Sequence, residues 1–337
     1  MRLEEFDYDL PVERIAQVPI EPRDAARLLV DRGSAPPEHH FVHELPEQLR
    51  RGDLLVLNET KVIPARLRLA RRTGGAAEVL LLEPTDGTRR TWEALVRPAR
   101  KLRTGEVLLA ATGDEVVAIG ERTAAGDTFT VELLGPVAGL ELLDRYGEMP
   151  LPSYITRRLD EHDRYQTVYA RAPGSAAAPT AGLHFTPELL DRLTANGIEQ
   201  ATIELVVGLD TFQPVSEPDP LDHRMHTERY RVPADTFARC RAAERVVAVG
   251  TTTVRALESA AATGCMDGRT DVFIHRGFDW KVVDVMMTNF HLPRTTLLMM
   301  IDAFVGPRWR ELYRTALGED YRFLSFGDAM LLDRWAA

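Results

Sequence analysis

The sequence has few of the features that mark disulfide-rich, membrane-spanning or nucleotide-binding proteins. Its 337 residues include only two cysteines, Cys240 and Cys265, too few for a disulfide scaffold or a thiolate metal site, and this fits a reducing cytoplasm. No apolar run approaches the length of a membrane span, and the first residues are acidic with an early proline, unlike a signal peptide. Walker, Gly-x-Gly-x-x-Gly and Gly-x-Ser-x-Gly motifs are also missing. We therefore expect a cytoplasmic protein that does not bind a membrane.

The charge balance is acidic, with a net charge of −10. Nucleic-acid-binding proteins usually carry a basic field, so this balance argues against a large nucleic-acid footprint. A local basic face is still compatible with the sequence, because one part of the chain is rich in arginine. The same residues are equally explained by an arginine-rich strand surface exposed to solvent. The members of this basic cluster are Arg66, Arg68, Arg71, Arg72, Arg97, Arg100, Lys101 and Arg103.

The middle third of the chain has the pattern of a small antiparallel β-barrel. Short β-rich runs alternate with turn signals such as Gly74-Gly75 and Gly126-Asp127, and six such strands with regular turns are typical of a barrel. The predicted strands are Val62–Ala70, Ala77–Glu83, Thr91–Val96, Glu106–Ala110, Glu115–Ile119 and Thr128–Leu134.

The remainder alternates strands and helices, which indicates a layered α/β domain. A buried strand, Asp53–Asn58, precedes the β-rich block, so the barrel is predicted to be inserted into a discontinuous α/β domain of residues 1–63 and 151–337, with the barrel at 64–150. The later predicted strands are Thr202–Val207, Val246–Val249, Val272–Ile274 and Val282–Met287, and the predicted helices are Pro187–Ala195, Thr236–Glu244, Thr253–Ala262 and Pro307–Leu317.

A loop of small residues, Gly174–Thr186, ends in a histidine and a helix start. Small residues let the backbone approach a ligand closely, and His184 stands beside free amide donors. Thr186 is a good N-cap, and Pro187 and Glu188 suit the first helical turn. The same loop is also compatible with tight packing, with His184 as a hydrogen-bonded core residue.

Three more polar clusters follow the strands of the predicted α/β domain. Residues 222–230 contain His223 and His226 without helical or strand periodicity. Residues 247–259 run from an apolar strand through Gly-Thr-Thr into a helix, a turn that aims amides and hydroxyls at one point and suits a carboxylate or phosphate. Residues 288–293 follow an apolar strand and contain Asn289 and His291.

Each cluster also has a structural explanation. The Gly-Thr-Thr turn is compatible with a capped helix start alone, and Asn289 and His291 with satisfied strand-end backbone groups. A metal bound by His223 and His226 lacks helical i, i+4 spacing, a cysteine and an evident third ligand. We therefore expect no metal.

At these clusters the chain resembles the S-adenosylmethionine:tRNA ribosyltransferase-isomerase family of queuosine biosynthesis, nearly end to end. The resemblance also rests on further motifs in order along the chain: 6–11, 15–17, 23–29, 58–67, 149–155, 164–170, 211–215, 225–228 and 321–330. It implies an α/β domain with an inserted β-barrel, in agreement with the pattern of strands and helices.

The resemblance also implies a reaction. The ribosyl part of S-adenosylmethionine moves onto the aminomethyl group of 7-aminomethyl-7-deazaguanine at the wobble position of a tRNA anticodon, giving epoxyqueuosine and releasing adenine and methionine. S-adenosylmethionine is consumed as a substrate, so no cofactor is expected. The protein is expected to act as a monomer.

This chemistry requires a base beside the sulfonium, an acid for the departing adenine and groups that hold the methionine carboxylate. Imidazole titrates near neutral pH, so His184, His226 and His291 are the candidate acid–base groups, with Glu228 as a second base.

The same requirements select residues for substrate binding. Gly250, Thr251, Thr252 and Arg255 suit the carboxylate. Asn289 and Gln166 are candidates for reading ring edges, and Tyr169, Phe185 and Phe290 for stacking. The further predicted substrate contacts are Arg66, Thr180, Gly182 and Thr211.

Departures from the family pattern leave other functions open. Val206 and Asp210 stand where the family commonly has histidine and glycine, and His275-Arg276 replaces Tyr-Pro. These changes put the acceptor in doubt. The alternatives are a relative that uses a small-molecule acceptor, a non-catalytic module that binds S-adenosylmethionine or RNA, and, remotely, a metal-dependent hydrolase.

Overall fold

The computed structural model describes residues 1–33, 35–123, 126–136, 139–159, 161–208, 215, 217–223, 225 and 227–334, and only the backbone of His162. The chain divides into two compact units. The first, here called the α/β unit, comprises residues 1–60, 153–172 and 178–337, and the second, the barrel unit, comprises residues 61–152 and 173–177.

Eighteen strands are found in the described residues, and they form three sheets. In chain order they are β1 (Arg27–Asp31), β2 (Glu38–Phe41), β3 (Asp53–Asn58), β4 (Thr60–Val62), β5 (Arg66–Arg71), β6 (Ala76–Pro84), β7 (Thr91–Arg97), β8 (Val107–Leu109), β9 (Glu115–Arg122), β10 (Phe129–Leu133), β11 (Gly147–Glu148), β12 (Ala172–Ser175), β13 (Glu199–Leu205), β14 (Glu228–Arg231), β15 (Arg245–Val249), β16 (Asp267–Thr270), β17 (Val285–Asn289) and β18 (Ala329–Asp333).

Seven α-helices are found in the same residues, with several short 3-10 turns between the elements. They are α1 (Leu45–Gln48), α2 (Gly139–Tyr146), α3 (Pro187–Ala195), α4 (Ala234–Ala242), α5 (Thr251–Thr263), α6 (Thr296–Val305) and α7 (Trp309–Gly318). In the part of the chain that is described, no helix combines the length and the apolarity needed to cross a membrane.

The α/β unit is built on a nine-stranded sheet in the order β16-β14-β13-β3-β15-β17-β18-β1-β2. The four central strands β13, β3, β15 and β17 run parallel, and Val56 of β3 lies opposite Ala201 and Ala248 of its two neighbours. Because these strands are parallel, their carboxyl ends meet at one edge of the sheet. The residues at that edge are Asn58, Leu205, Val249 and Asn289.

The sequence explains why β3 lies at the centre of this sheet. All six of its residues are buried, and a continuous apolar run is typical of a parallel strand covered on both faces. One face packs on a hydrophobic core to which α3 contributes Leu189 and Leu193. The helix α3 begins as predicted, because the Thr186 hydroxyl accepts a hydrogen bond from the Leu189 amide and Pro187 occupies the first turn.

The barrel unit contains a closed, six-stranded antiparallel barrel in the order β5-β6-β7-β10-β9-β8, which closes through the pairing of β8 with the end of β5. The short strand β11 pairs with the start of β5, on the same edge as β8. Side chains alternate between interior and surface, so Leu67 and Leu69 of β5 are buried while Arg68 between them is exposed. Charged residues of three neighbouring strands lie side by side across the barrel. Arg68 of β5 is opposite Glu78 of β6, and Glu78 is opposite Arg97 of β7.

The predicted fold class, a layered α/β protein with an inserted antiparallel barrel, is confirmed. The strand predicted at Val272–Ile274 is wrong. Those residues have no strand conformation, and Ile274 is buried without pairing; the strand is instead the polar β16, which pairs at the sheet edge with β14. The domain boundaries at 63/64 and 150/151 stay a prediction.

Candidate functional site

The polar clusters predicted from the sequence meet at the carboxyl edge of the central parallel strands. The loop 178–184, the start of α5 and the segment after β17 all lie there, around two adjacent pockets within the α/β unit. Open α/β sheets bind ligands at this edge because loops and helix starts from several strands converge on it.

The first pocket, here called the threonine pocket, has a volume of about 350 Å³ and contains the first turn of α5. Gly250 is the N-cap of that helix, with φ +87° and ψ 149°, and as a glycine it has no side chain that could cap the first N–H groups. The first N–H groups of a helix have no intrahelical partner and carry partial positive charge. The lining residues are Ala178, Pro179, Thr180, Ala181, Val207, Gly250, Thr251, Thr252, Thr288, His291 and Leu297.

The second pocket, here called the aromatic pocket, has a volume of about 290 Å³ and shares Thr180, His291 and Leu297 with the first. The Tyr154 hydroxyl lies 2.7 Å from the Ser325 hydroxyl in its wall. Its lining is mostly apolar, which suits a flat heterocycle with a few polar contacts. The lining residues are Tyr154, Thr180, Asn289, Phe290, His291, Leu292, Thr295, Leu297, Leu324 and Ser325.

His291 stands where the two pockets meet, and its backbone is held from both sides. Its amide donates to the Tyr313 hydroxyl at 3.0 Å, and its carbonyl accepts from the Tyr8 hydroxyl. The ring Nε2 lies 3.1 Å from the Thr288 hydroxyl. Burial lowers the pKa of His291 to about 3, so the ring is neutral at physiological pH.

His184 lies outside both pockets, behind Asn289. The Asn289 amide nitrogen is 3.1 Å from His184 Nε2 and 3.2 Å from the Leu324 carbonyl, while its carbonyl oxygen accepts from the Thr180 hydroxyl at 3.1 Å. A backbone carbonyl only accepts, so the amide donates on that side and His184 Nε2 is an acceptor. His184 therefore holds the Asn289 carboxamide in a fixed orientation.

Burial also lowers the pKa of His184, to about 3. The positive charges of the nearby Arg322, Arg164 and Arg23 lower it in the same direction, by a smaller amount. Burial thus lowers the pKa of both His184 and His291 below the usual imidazole range, and their acid–base roles stay predictions. Removal from water disfavours the charged imidazolium more strongly than the sequence alone indicates.

Glu228 and Arg255 form a buried ion pair between β14 and α5. Glu228 also accepts from the Gly208 amide at 3.3 Å. The guanidinium Nε and Nη2 atoms of Arg255 are buried and have no hydrogen-bond partner among the described residues. Burial lowers the pKa of Arg255 to about 10, and the ion is cationic at neutral pH. Neither residue lines the two pockets described above.

The structure separates the predicted stacking residues. Phe185 is fully buried in the core below the sheet and packs edge-on to Tyr169. Gly182 is required by close approach, because a Cβ there would overlap the Tyr169 hydroxyl oxygen. Phe290 belongs to an aromatic cluster with Tyr313, and one side of it reaches the aromatic pocket.

The remaining predicted residues lie elsewhere. Gln166 follows a 3-10 turn, and its backbone carbonyl accepts from Arg23 at 2.7 Å. Arg66 belongs to the barrel unit, where it donates to the Leu151 carbonyl at 3.4 Å. His226 and Thr211, like the departure at Asp210, lie outside the described residues. Within those residues, no group of three or more His, Cys, Asp or Glu side chains is placed to hold a metal ion.

Sequence reasoning missed the residues that position the site. Asn58 at the end of β3 donates to the Leu205 carbonyl at 3.0 Å and to the Thr252 hydroxyl at 3.3 Å. The position of Asn58 at the end of a buried apolar strand could have identified it from the sequence as a candidate site residue. Tyr8 and Tyr313 gave no such signal, because they reach His291 from distant parts of the chain.

The fold and the pockets define an α/β protein with an inserted barrel and a candidate ligand site at the carboxyl edge of its sheet. A family described as "Queuosine biosynthesis protein" matches residues 3–332. The S-adenosylmethionine:tRNA ribosyltransferase-isomerase of Symbiobacterium thermophilum is 52% identical, over 98% of this chain and 100% of that protein. The protein of the same name from Rubrobacter xylanophilus is 51% identical, over 98% of both chains.

A solved structure agrees with these relatives. The crystal structure of S-adenosylmethionine tRNA ribosyltransferase from Thermotoga maritima has a TM-score of 0.55 and 39% sequence identity, and the match covers 97% of this chain and 99% of that one. The chain belongs to the queuosine biosynthesis protein family.

Proposed function

We propose that this protein is an S-adenosylmethionine:tRNA ribosyltransferase-isomerase. It transfers the ribosyl part of S-adenosylmethionine to the aminomethyl group of 7-aminomethyl-7-deazaguanine in tRNA, giving epoxyqueuosine and releasing adenine and methionine. Two relatives that carry this name are 52% and 51% identical to this chain over 98% of its length, which supports the activity. The observation that carries it structurally is the pair of adjacent pockets that share His291.

The threonine pocket suits the methionine end of S-adenosylmethionine. Its helix start offers N–H groups without intrahelical partners, and the first turn of α5 contains no acidic residue that would compete for them. A carboxylate at this end gains both hydrogen bonds and the favourable field of the helix. Asn58 fixes the Thr252 hydroxyl beside these donors.

The aromatic pocket suits a purine or deazapurine ring. Phe290, Leu292 and Leu324 supply an apolar surface, and the Tyr154 and Ser325 hydroxyls supply polar contacts at its wall. Thr180 lies in both pockets, and its hydroxyl donates to Asn289, whose carboxamide is held by His184 and Leu324. We assign His184 and Asn289 to positioning this wall.

His291 is the base in this proposal. The sulfonium acidifies the adjacent ribose carbon, and removal of a proton there leaves a neutral ylide and a cationic imidazolium. The positive charge moves from sulfur to His291 without changing the total charge of the pocket. A buried neutral histidine is suited to this step, because the substrate brings the charge that burial otherwise excludes.

The other parts of the proposal follow from the activity. The tRNA is modified at the wobble position, S-adenosylmethionine is consumed as a substrate, and no metal or cofactor takes part. The protein acts as a cytoplasmic monomer. His226, Glu228, Arg255, Thr211, Gln166 and Arg66 remain predicted contributors to catalysis or substrate binding.

The test is adenine and methionine release from S-adenosylmethionine, measured by chromatography with and without tRNA bearing 7-aminomethyl-7-deazaguanine. We expect release that requires this tRNA, together with the matching gain of mass on the anticodon base. His291→Gln should lower kcat by about 10²–10⁴-fold, the usual share of a general base. The matched control His43→Gln changes an exposed histidine and should leave kcat unchanged.

Absence of release from a verified tRNA substrate would refute the proposed activity. Unchanged kcat in His291→Gln, with release intact in the wild-type protein, would refute only the role of His291.

A further inference from the structure

The barrel carries its charges unevenly around its wall. Between residues 61 and 103 there are eleven Lys and Arg against four Asp and Glu, whereas residues 104–152 contain two against nine. The strands of the first segment, β5, β6 and β7, are neighbours in the barrel, and β10, β9 and β8 form the opposite half. The barrel therefore has a basic side and an acidic side, although the whole protein is acidic.

Some cations of the basic side are neutralised within the barrel. Arg68 pairs with Glu148 at 2.8 Å, and Arg71 pairs with Glu106 at 2.6 Å. Arg72 pairs with Glu115. These residues account for part of the arginine-rich cluster as ordinary surface ion pairs.

Four of the remaining cations lie together in the segment 97–103 that leaves β7 toward β8, here called the basic connection. Arg97, Arg100, Lys101 and Arg103 are all exposed. In the part of the chain that the structure describes, none of the four has a carboxylate within ion-pair distance. The segment itself contains no acidic residue, so its like charges repel one another without internal compensation.

The backbone of the basic connection is anchored despite this repulsion. The Lys101 amide donates to the Pro98 carbonyl at 3.0 Å, and the Arg103 amide donates to the Glu106 carboxylate at 3.2 Å. Leu102 is buried and fixes the segment to the barrel. The four cations are thus presented together by a defined loop.

A ligand for this segment must be a polyanion, and its surroundings select a hydrophilic one. Among the described residues, the exposed large hydrophobic side chains all lie in the α/β unit, and Leu102 is turned inward. The basic connection therefore offers nothing apolar for insertion into lipid. Seven residues span at most about 25 Å, long enough to meet several consecutive phosphates of a nucleic-acid strand.

We propose that the basic connection binds the phosphodiester backbone of the tRNA substrate. This inference rests on the proposed function. It explains why a protein of net charge −10 keeps four cations together without an ion-pair partner among the described residues, because phosphates would supply that counter-charge. Such contacts add affinity and position the tRNA without reading its sequence.

The experiment measures binding of fluorescently labelled tRNA bearing 7-aminomethyl-7-deazaguanine to the full chain, by anisotropy over a range of salt concentrations. The first variant combines Arg97→Gln, Arg100→Gln, Lys101→Gln and Arg103→Gln. The second combines Arg100→Gln and Lys101→Gln. The matched control combines Arg51→Gln and Arg241→Gln, two exposed cations of the α/β unit before β3 and β15.

Each phosphate contact contributes about 0.7–0.9 to the slope of log K against log salt. We expect the slope to become shallower by about 3 in the fourfold variant and by about 1.5 in the double variant, and to stay unchanged in the control. Affinity for S-adenosylmethionine alone should be unchanged in every variant, which verifies the fold. An unchanged slope in the double variant would overturn the inference, as would an equal loss in the control.

Failure of the proposed function is separately visible. A wild-type chain that binds tRNA but releases no adenine would refute the activity, while the slopes would still decide the role of the basic connection. A wild-type chain that binds vesicles of anionic lipid and not tRNA would overturn both.

Discussion

The conformation of Gly250 allows a direct test of the start of α5 as a binding element. Its φ of +87° and ψ of 149° lie in a region that residues with a Cβ adopt at a cost of about 1–3 kcal/mol. A Cβ there would lie 3.6 Å from Ala181 Cβ and from Thr252 Oγ1, which is ordinary contact. Steric overlap adds no cost, so we expect Gly250→Ala to lower the free energy of unfolding by about 1–3 kcal/mol through its backbone alone.

The functional effect should be larger than this loss of stability implies. The backbone relieves its strain only by rotating at Gly250, which displaces the amides of Thr251 and Thr252. Loss of a hydrogen bond to a charged group costs about 1.5–3 kcal/mol, so the affinity for S-adenosylmethionine should fall about ten- to hundredfold. Titration calorimetry with S-adenosylmethionine measures the affinity, and urea denaturation measures the stability.

Gly264 supplies the control at the other end of the same helix. It has φ +72° and ψ 2°, and a Cβ there would meet nothing within 4 Å. Gly264→Ala should cost about 1–2 kcal/mol of stability and leave the affinity unchanged. If Gly250→Ala binds S-adenosylmethionine as the wild-type protein does, or if both variants lose affinity equally, the first turn of α5 is not the carboxylate site.

Three further predictions concern buried groups. Burial lowers the pKa of His184 and His291 from 6.5 to about 3, so between these values the unfolded chain binds more protons and stability falls as pH falls. Each ring should contribute about 1.4 kcal/mol per pH unit to this loss of unfolding free energy. In urea titrations at several pH values, His184→Gln should therefore show a slope of stability against pH that is smaller by one ring's contribution. A slope equal to that of the wild-type protein would contradict the burial of His184. Glu258 is fully buried and accepts hydrogen bonds from three backbone amides, so Glu258→Gln should cost about 2–4 kcal/mol, and an unchanged melting temperature would count against this. Gly182→Ala should destabilise the fold by overlap with the Tyr169 hydroxyl, which has no hydrogen-bond partner in the described part of the chain. Tyr169→Phe should restore part of the loss in a double-mutant cycle.

Local patterns predicted the elements whose signals are themselves local. The cap at Thr186 and the proline after it define the start of α3, and the apolar run of β3 defines a central strand. The barrel strands were predictable because turn signals such as Gly74-Gly75 separate alternating runs. The strand β14, next to the edge strand β16, was not predictable, since its four residues, with alternate ones exposed, carry too little periodicity to stand out from a loop.

The sequence predicted which polar segments form the candidate site, but not how their side chains contact one another. The sequence places Asn289 at a strand end, but its contacts with Thr180 and His184 join positions more than 100 residues apart. The burial of His184 was equally unpredictable, because His184 follows a loop of small residues that is compatible with exposure. The structure buries that loop and places His184 against Asn289, a contact that the sequence did not indicate, and the acid–base role of His184 stays a prediction.

This burial leads to a prediction about the pH dependence of activity. Because the pKa of His291 is about 3, a base at this position is already deprotonated throughout the range from pH 5 to 8, and it adds no acid limb to the profile of kcat/KM there. An inflection near pH 6.5 must then come from another group, and His226, outside the described residues, is the predicted histidine left for it. The profile is measured by adenine release from S-adenosylmethionine at saturating tRNA. Loss of such an inflection in His226→Gln would assign it, whereas its loss in His291→Gln would contradict the burial of His291.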